Sequence, residues 1–326
     1  MERERRKDVS ERLTGLVIRT QSGFFTVQTD EGPIVCQLRG KLKEEYKETD
    51  LVAIGDRVTV ERLDIEGDIT QGIIVEVAPR ERVLSRVAPR SAVGTSKERE
   101  QVIIANPDQA IFVFSAAQPS PHVRMLDRFL VAAEKATIPE IRICINKMDL
   151  VAKNPTPTRD TFAVYERIGY PVLYVSAKTG EGIAALHDAL VGKISVFTGP
   201  SGVGKTSLLN AIEPDLGLRV AEVSQATEKG RHTTRYSELI PLADGGYVAD
   251  TPGIRALSPW DVEPDELDAY FIEIAPHVAY CKFPDCTHTH EPDCAVREAV
   301  ARGEITEERY DSYLRLREML EEEYIY

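Results

Sequence analysis

The sequence predicts several domains in series: a small N-terminal β-barrel, a central parallel α/β domain carrying a phosphate-binding loop, and a mainly helical C-terminal segment organised around a metal ion. Three observations predict it. Up to Val77, short β-rich runs alternate with turn signals. Beyond Gln101, apolar strands alternate with helical stretches. After Ser258 come a helical stretch, a tight cluster of cysteine and histidine, and two further helices. The divisions fall at residues 1–80, 81–101, 102–257 and 258–326.

In the first division the runs Leu16–Ile18, Phe24–Gln28, Ile34–Leu38, Arg57–Glu61 and Ile73–Val77 are separated by turns such as Ser22-Gly23 and Glu31-Gly32-Pro33. Five short strands fit a small closed barrel. The oligonucleotide/oligosaccharide-binding (OB) fold is the natural candidate, although an SH3-like barrel would read much the same. Glu81–Gln101 is polar, with Ala88-Pro89 and Val93-Gly94-Thr95, and reads as a linker or loop. In the central division the strands Ala110–Phe114, Ile141–Ile145, Val172–Val175 and Ile194–Thr198 alternate with the helical stretches Met125–Lys135, Ile183–Val191 and Thr206–Ile212. That alternation predicts a parallel sheet covered by helices. The last division reads as helical over Glu263–Ile274, Ala295–Ala301 and Glu307–Glu323.

Composition narrows the function classes. With 42% apolar and 29% charged residues the chain reads as soluble and globular. The longest apolar runs, such as Ala110–Ala117, fit a buried strand and not a membrane span. The charged start, Met1 to Arg12, argues against a signal peptide and for the cytoplasm. A net charge of −13 excludes a generic nucleic-acid binder. An RNA partner would have to meet the local basic patches, Arg3–Lys7 and Arg80–Arg90. Cys36 and Cys144, alone in apolar runs, read as small buried hydrophobes.

Gly199-Pro200-Ser201-Gly202-Val203-Gly204-Lys205-Thr206 follows a strand and opens a helix, which is the context of a P-loop. Its glycines let backbone N–H groups, on to Ser207, converge on phosphates. Lys205 reaches the β/γ oxygens, and the Thr206 hydroxyl ligates Mg²⁺. Asn146-Lys147-Met148-Asp149 also follows a strand. The Asp149 carboxylate can accept from N1–H and N2–H₂ of guanine, a donor pair that adenine lacks. Ser176-Ala177-Lys178 follows a third strand, and the Ala177 N–H can meet guanine O6. Asp250-Thr251-Pro252-Gly253 supplies a carboxylate for Mg²⁺ through water and a Gly253 N–H for the γ-phosphate. Within Gly230–Thr234 a hydroxyl, Thr234 by preference and Thr233 otherwise, completes the Mg²⁺ shell. These segments imply binding and hydrolysis of GTP, with GDP as product. Both base-reading segments precede the P-loop, so the order is circularly permuted. Ile254 stands where small GTPases carry their water-orienting glutamine, and His232 is the nearest replacement in sequence.

Cys281, Cys286, His288 and Cys294 offer three thiolates and one imidazole within fourteen residues. Soft ligands at tetrahedral count point to one structural Zn²⁺ per chain, with His290 as a spare ligand.

With Asn146–Asp149, Gly199–Ser207, Gly230–Thr234, Asp250–Gly253 and the four metal-ligand candidates in hand, the chain resembles the bacterial ribosome-small-subunit-dependent GTPase A (RsgA) family along nearly its whole length. The resemblance implies a monomeric cytoplasmic factor acting late in assembly. Its partners would be the small ribosomal subunit and its rRNA. That subunit would stimulate it, and it would leave after hydrolysis. It also implies that His232 positions the attacking water. Two alternatives stand beside this one: a nucleotide-dependent RNA-binding scaffold with negligible turnover, and a permuted GTPase acting on the large subunit.

Overall fold

The computed structural model describes residues 12–40, 51–63, 71–87, 100–217, 237–250 and 262–325. The first five strands are β1 (Arg12–Gln21), β2 (Phe24–Thr29), β3 (Gly32–Leu38), β4 (Arg57–Leu63) and β5 (Gln71–Val77). They alternate inward apolar and outward polar residues, as a half-buried sheet requires. Val17, Val27, Ile34, Cys36, Val58, Val60 and Ile74 fill the interior. Burial pushes the Cys36 thiol up to about 12, so it behaves as a small apolar side chain. Pairing runs β1-β2-β3-β5-β4 and returns from β4 to β1, closing a five-stranded barrel. Among these five strands only β3 and β5 are parallel neighbours.

β6 (Val83–Val87) pairs antiparallel with β7 (Glu100–Ala105). The linker expected over residues 81–101 is therefore partly a strand. Its polar composition hid Leu84, which is buried against the central core together with Ile104.

The central strands are β8 (Gln109–Ser115), β9 (Glu140–Asn146), β10 (Val172–Tyr174), β11 (Ile194–Thr198), β12 (Ser237–Pro241) and β13 (Tyr247–Asp250). Their order is β10-β9-β8-β11-β13-β12, parallel as far as β13, with β12 antiparallel. Every residue of β8 is buried, as expected of a strand covered on both faces. Ala110, Phe112 and Phe114 face α1 (Val123–Lys135) and α2 (Thr156–Ile168). Ile111 and Val113 face α3 (Ile183–Leu190) and α4 (Lys205–Ile212). Helix α2 was not expected from the sequence.

β12 also pairs with the end of β1, through Arg19↔Glu238 and Thr20↔Ser237. β1 keeps β2 on one side through an irregularity between Val17 and Arg19, and on the other side pairs with β4 by its first half and with β12 by its second. The barrel and the central domain thereby share one eleven-stranded sheet.

The expected helix over Glu263–Ile274 is a 3₁₀ turn, Pro264–Tyr270, followed by α5 (Ala275–Val278), α6 (Ala295–Ala301) and α7 (Glu307–Ile325). Pro264 suits the start of a helical turn, and Glu263 and Glu266 cap it reciprocally. Leu267, Phe271, Ile274, Val296, Tyr313 and Leu316 form this segment's core, and Val131 of α1 joins it. Arg309 of α7 is 2% exposed. It donates to Asp127 of α1 and, at 2.5 and 3.2 Å, to Glu273, and its guanidinium lies 4.6 Å from the Phe271 ring centroid. Ser312 and Tyr165 also donate to Asp127, so the buried carboxylate is hydrogen-bonded on both oxygens. Among the described residues no helix is long and apolar enough to cross a membrane.

Candidate nucleotide and metal sites

Because β10, β9, β8, β11 and β13 run parallel, the segments after them emerge at one edge, where open α/β sheets bind ligands. The Gly199–Thr206 loop leaves β11 there. A Cβ at Gly199 would lie 1.9 Å from the Val113 carbonyl oxygen, so only glycine lets this chain pass β8. Gly204 precedes α4 at φ 92°, and a Cβ there would meet Asn146 Nδ2 at 2.5 Å. Lys205 Nζ donates to the carbonyls of Gly199 at 2.7 Å and Pro200 at 2.8 Å, which sets its ammonium at the mouth of the loop. Val203 is buried, Ser201 exposed, and Gly202, Thr206 and Ser207 lie between.

Asn146 is buried and ties three loops together. Its Nδ2 donates to the Val203 carbonyl at 2.9 Å, and its Oδ1 accepts from the Ala177 N–H at 3.1 Å. Lys147 turns the chain at φ 63° and donates from Nζ to the Gly202 carbonyl at 2.6 Å. Burial pushes its ammonium below the usual range, and Asp149 opposes that shift. Met148 is buried, and its N–H bonds the Val175 carbonyl at 3.1 Å. Asp149 Oδ1 accepts from Ser176 Oγ at 2.7 Å, which leaves its second oxygen for another donor. Ser176 Oγ accepts in turn from the Thr179 N–H at 3.2 Å. Lys178 is exposed. The structure thus brings together the P-loop and both base-reading segments.

Asp250 ends β13 opposite Glu238. His232, Thr233, Thr234, Gly253 and Ile254 lie outside the described residues.

Residues 14–74 match the RsgA N-terminal domain, and residues 77–260 match the RsgA GTPase. The chain belongs to the RsgA GTPase family. It is a GTPase, built as a permuted P-loop domain behind an OB-type barrel. The chain is 45% identical over 308 residues to a protein of Gemmatimonas aurantiaca named small ribosomal subunit biogenesis GTPase RsgA, covering 94% of this chain and 97% of that one. It is 40% identical to the protein of that name from Caldanaerobacter subterraneus, covering 96% and 98%. YjeQ from Thermotoga maritima superposes with a TM-score of 0.76 at 38% identity, covering 95% of this chain and 99% of that one. YloQ, described as a circularly permuted GTPase, gives a TM-score of 0.73 at 32% identity, covering 98% of each.

The C-terminal segment gathers a donor set able to hold a metal ion. Ligand atoms of Cys281, Cys286, His288 and Cys294 all lie within 4.8 Å of one another. His288 Nδ1 is 3.5 Å from Cys281 Sγ and 3.4 Å from Cys294 Sγ. Its Nε2 lies 3.0 Å from Asp268 Oδ2, an outer carboxylate of the kind that orients a metal-bound imidazole. Asp268 was missed in the sequence, because twenty residues separate it from His288. Tyr310 and Tyr313 hold the loop through the carbonyls of His288 at 2.5 Å and Thr287 at 3.1 Å. His290 is exposed, bonded to Thr289 Oγ1 at 2.8 Å, and stands outside the cluster.

Proposed function

We propose that the chain hydrolyses GTP as a late assembly factor of the small ribosomal subunit in the cytoplasm, docking with GTP bound and leaving after hydrolysis. The observation that carries the nucleotide reading is Asn146, whose two hydrogen bonds join the P-loop to both base-reading segments. The names of the curated relatives support the ribosomal part. In this reading Asp149 accepts from the guanine edge while Ser176 holds its other oxygen, and the Ala177 N–H meets O6. The N–H groups from Gly199 to Ser207, with Lys205, bind the phosphates, and the Gly253 N–H meets the γ-phosphate. Mg²⁺, when bound, supplies charge neutralisation at the β- and γ-oxygens. Thr206, Thr234 and Asp250 are its proposed ligands. His232 orients the attacking water in place of the missing glutamine. Zn²⁺, held by Cys281, Cys286, His288 and Cys294, supplies fold stability to the C-terminal segment. The matches over 14–74 and 77–260 support dividing the chain near residues 80 and 257.

The test is GTP turnover by the full chain titrated with purified small and large ribosomal subunits. Slow turnover alone and acceleration by the small subunit, lost in His232→Ala with GTP affinity kept, is the expected result. Stimulation by the large subunit alone, or by neither, overturns the reading in favour of a large-subunit factor or an RNA-binding scaffold.

A further inference from the structure

The loop after β8, residues 116–121, carries none of the nucleotide-binding motifs. It nevertheless emerges between the base-reading segment after β9 and the P-loop after β11. We propose that Ser115 is a positioning residue for the guanine base, acting through this loop on Lys147. The inference rests on the nucleotide site of the proposed function.

Ser115 is the last residue of a strand that is otherwise apolar apart from Gln109, and it is 1% exposed. A buried hydroxyl needs a partner. Ser115 Oγ donates to the Pro119 carbonyl at 2.7 Å and so folds the loop back on the strand end. The Ala116 N–H bonds the Asn146 carbonyl at 2.8 Å, which fixes the loop's start beside the base-reading segment. So held, the Gln118 carbonyl accepts from Lys147 Nζ. The lysine is therefore gripped between the 116–121 loop and the Gly202 carbonyl of the P-loop.

Both ends of that new bond stand in the left-handed backbone region, Lys147 at φ 63° and Gln118 at φ 50°. Neither is a residue type that enters this region readily, and such conformations persist where the surroundings over-determine them. The lysine's carbon stem lies over the P-loop: a Cβ at Gly204 would be 3.8 Å from Lys147 Cε. A stem gripped by its ammonium is a fixed apolar surface beside Asp149, suited to the flat face of a purine. Without the Ser115 hydroxyl the loop loses its inner tie, and the stem loses one of its two grips.

The experiment compares wild type, Ser115→Ala and Ser115→Thr as full chains. Affinities for GDP, GTP and tripolyphosphate are measured by competition, with turnover at saturating GTP. Ser115→Ala is expected to weaken GDP and GTP by the same factor, about threefold to tenfold, the size of one hydrogen bond. Tripolyphosphate affinity and saturated turnover should stay within twofold, and Ser115→Thr should restore the nucleotide affinities. Unchanged GDP affinity in Ser115→Ala overturns the proposal. So does an equal loss of tripolyphosphate affinity, which would make Ser115 a general support of the fold. A wild type that binds no guanine nucleotide overturns the functional reading itself, and that outcome is distinct from either result on a binding-competent protein.

Discussion

Replacing Asn146 by alanine tests whether the three loops need their common tie. The side chain is 1% exposed and spends both ends on backbone groups. The Val203 carbonyl, on a residue that is also 1% exposed, would lose its donor with no water to replace it. That costs about 1–3 kcal/mol. The Ala177 N–H is half-buried and can recover a water, so its loss is nearer the net worth of one bond, about 0.5–1.5 kcal/mol. Together they amount to about 1.5–4.5 kcal/mol, or roughly 10- to 2000-fold in nucleotide affinity. These bonds already stand in the fold, so the cost is shared between its stability and nucleotide binding, and the range is an upper bound for the loss of affinity. Asn146→Asp keeps the acceptor for Ala177 but sets a carboxylate against the Val203 carbonyl, so it should lose at least as much. Equilibrium titration of nucleotide-free protein with GDP reads the effect, with a thermal melt as control. If Asn146→Ala binds GDP within threefold of wild type and melts normally, the tie is dispensable and the reasoning fails.

Three other outcomes are expected. Arg309→Met should destabilise the chain by about 3–5 kcal/mol in denaturant titration, because Asp127 and Glu273, with side chains 4% and 6% exposed, lose their cation. An effect below about 1 kcal/mol would show that the network is not a stability element. Cys286→Ser should abolish tight zinc binding by elemental analysis and release the C-terminal segment to proteolysis first. Guanine nucleotide binding should persist, since none of its proposed ligands lies there. Hydrogen bonds from Lys193 and Arg142 hold the Glu140 carboxyl below its ordinary value of 4.5. Its stabilising contribution is therefore fully present above about pH 4.5 and is lost as pH falls through the lower folded value. Glu140→Gln should flatten stability against pH in that acid range, and an unchanged acid limb would contradict the pairing.

The P-loop and the two segments expected to read the base were legible because each is short, contiguous and placed after an apolar strand. The P-loop needs only Gly199–Thr206, and its meaning comes from spacing. The four candidate metal ligands were legible because they fall within fourteen residues. What escaped the sequence reading were contacts between distant residues. Asp268 serves His288 from a 3₁₀ turn twenty residues upstream, and Arg309 meets Asp127 from 182 residues away. Ser115 drew no reading from the sequence, because its partner depends on how the following loop folds. Helix α2 went unread because it buries only Thr158, Phe162 and Tyr165, too few to make a periodic pattern. The β6–β7 pair went unread because its two short strands are separated by the polar stretch 88–99.

The pairing of β1 with β12 also bears on how the protein can be dissected. A β-sheet is open to other chains only along its outermost strands, whose backbone groups lack neighbours. In this sheet the barrel closes one margin by curling back on itself, which leaves β10, three residues long, as the outermost strand at the other. A fragment beginning after the barrel would uncover the outer side of β12, including Ser237 and Glu238, where β1 now pairs. Such a fragment should tend to self-associate through that strand, so its oligomeric state would reflect the cut and not the native chain. The barrel is thus the cap of the GTPase sheet as well as a domain of its own.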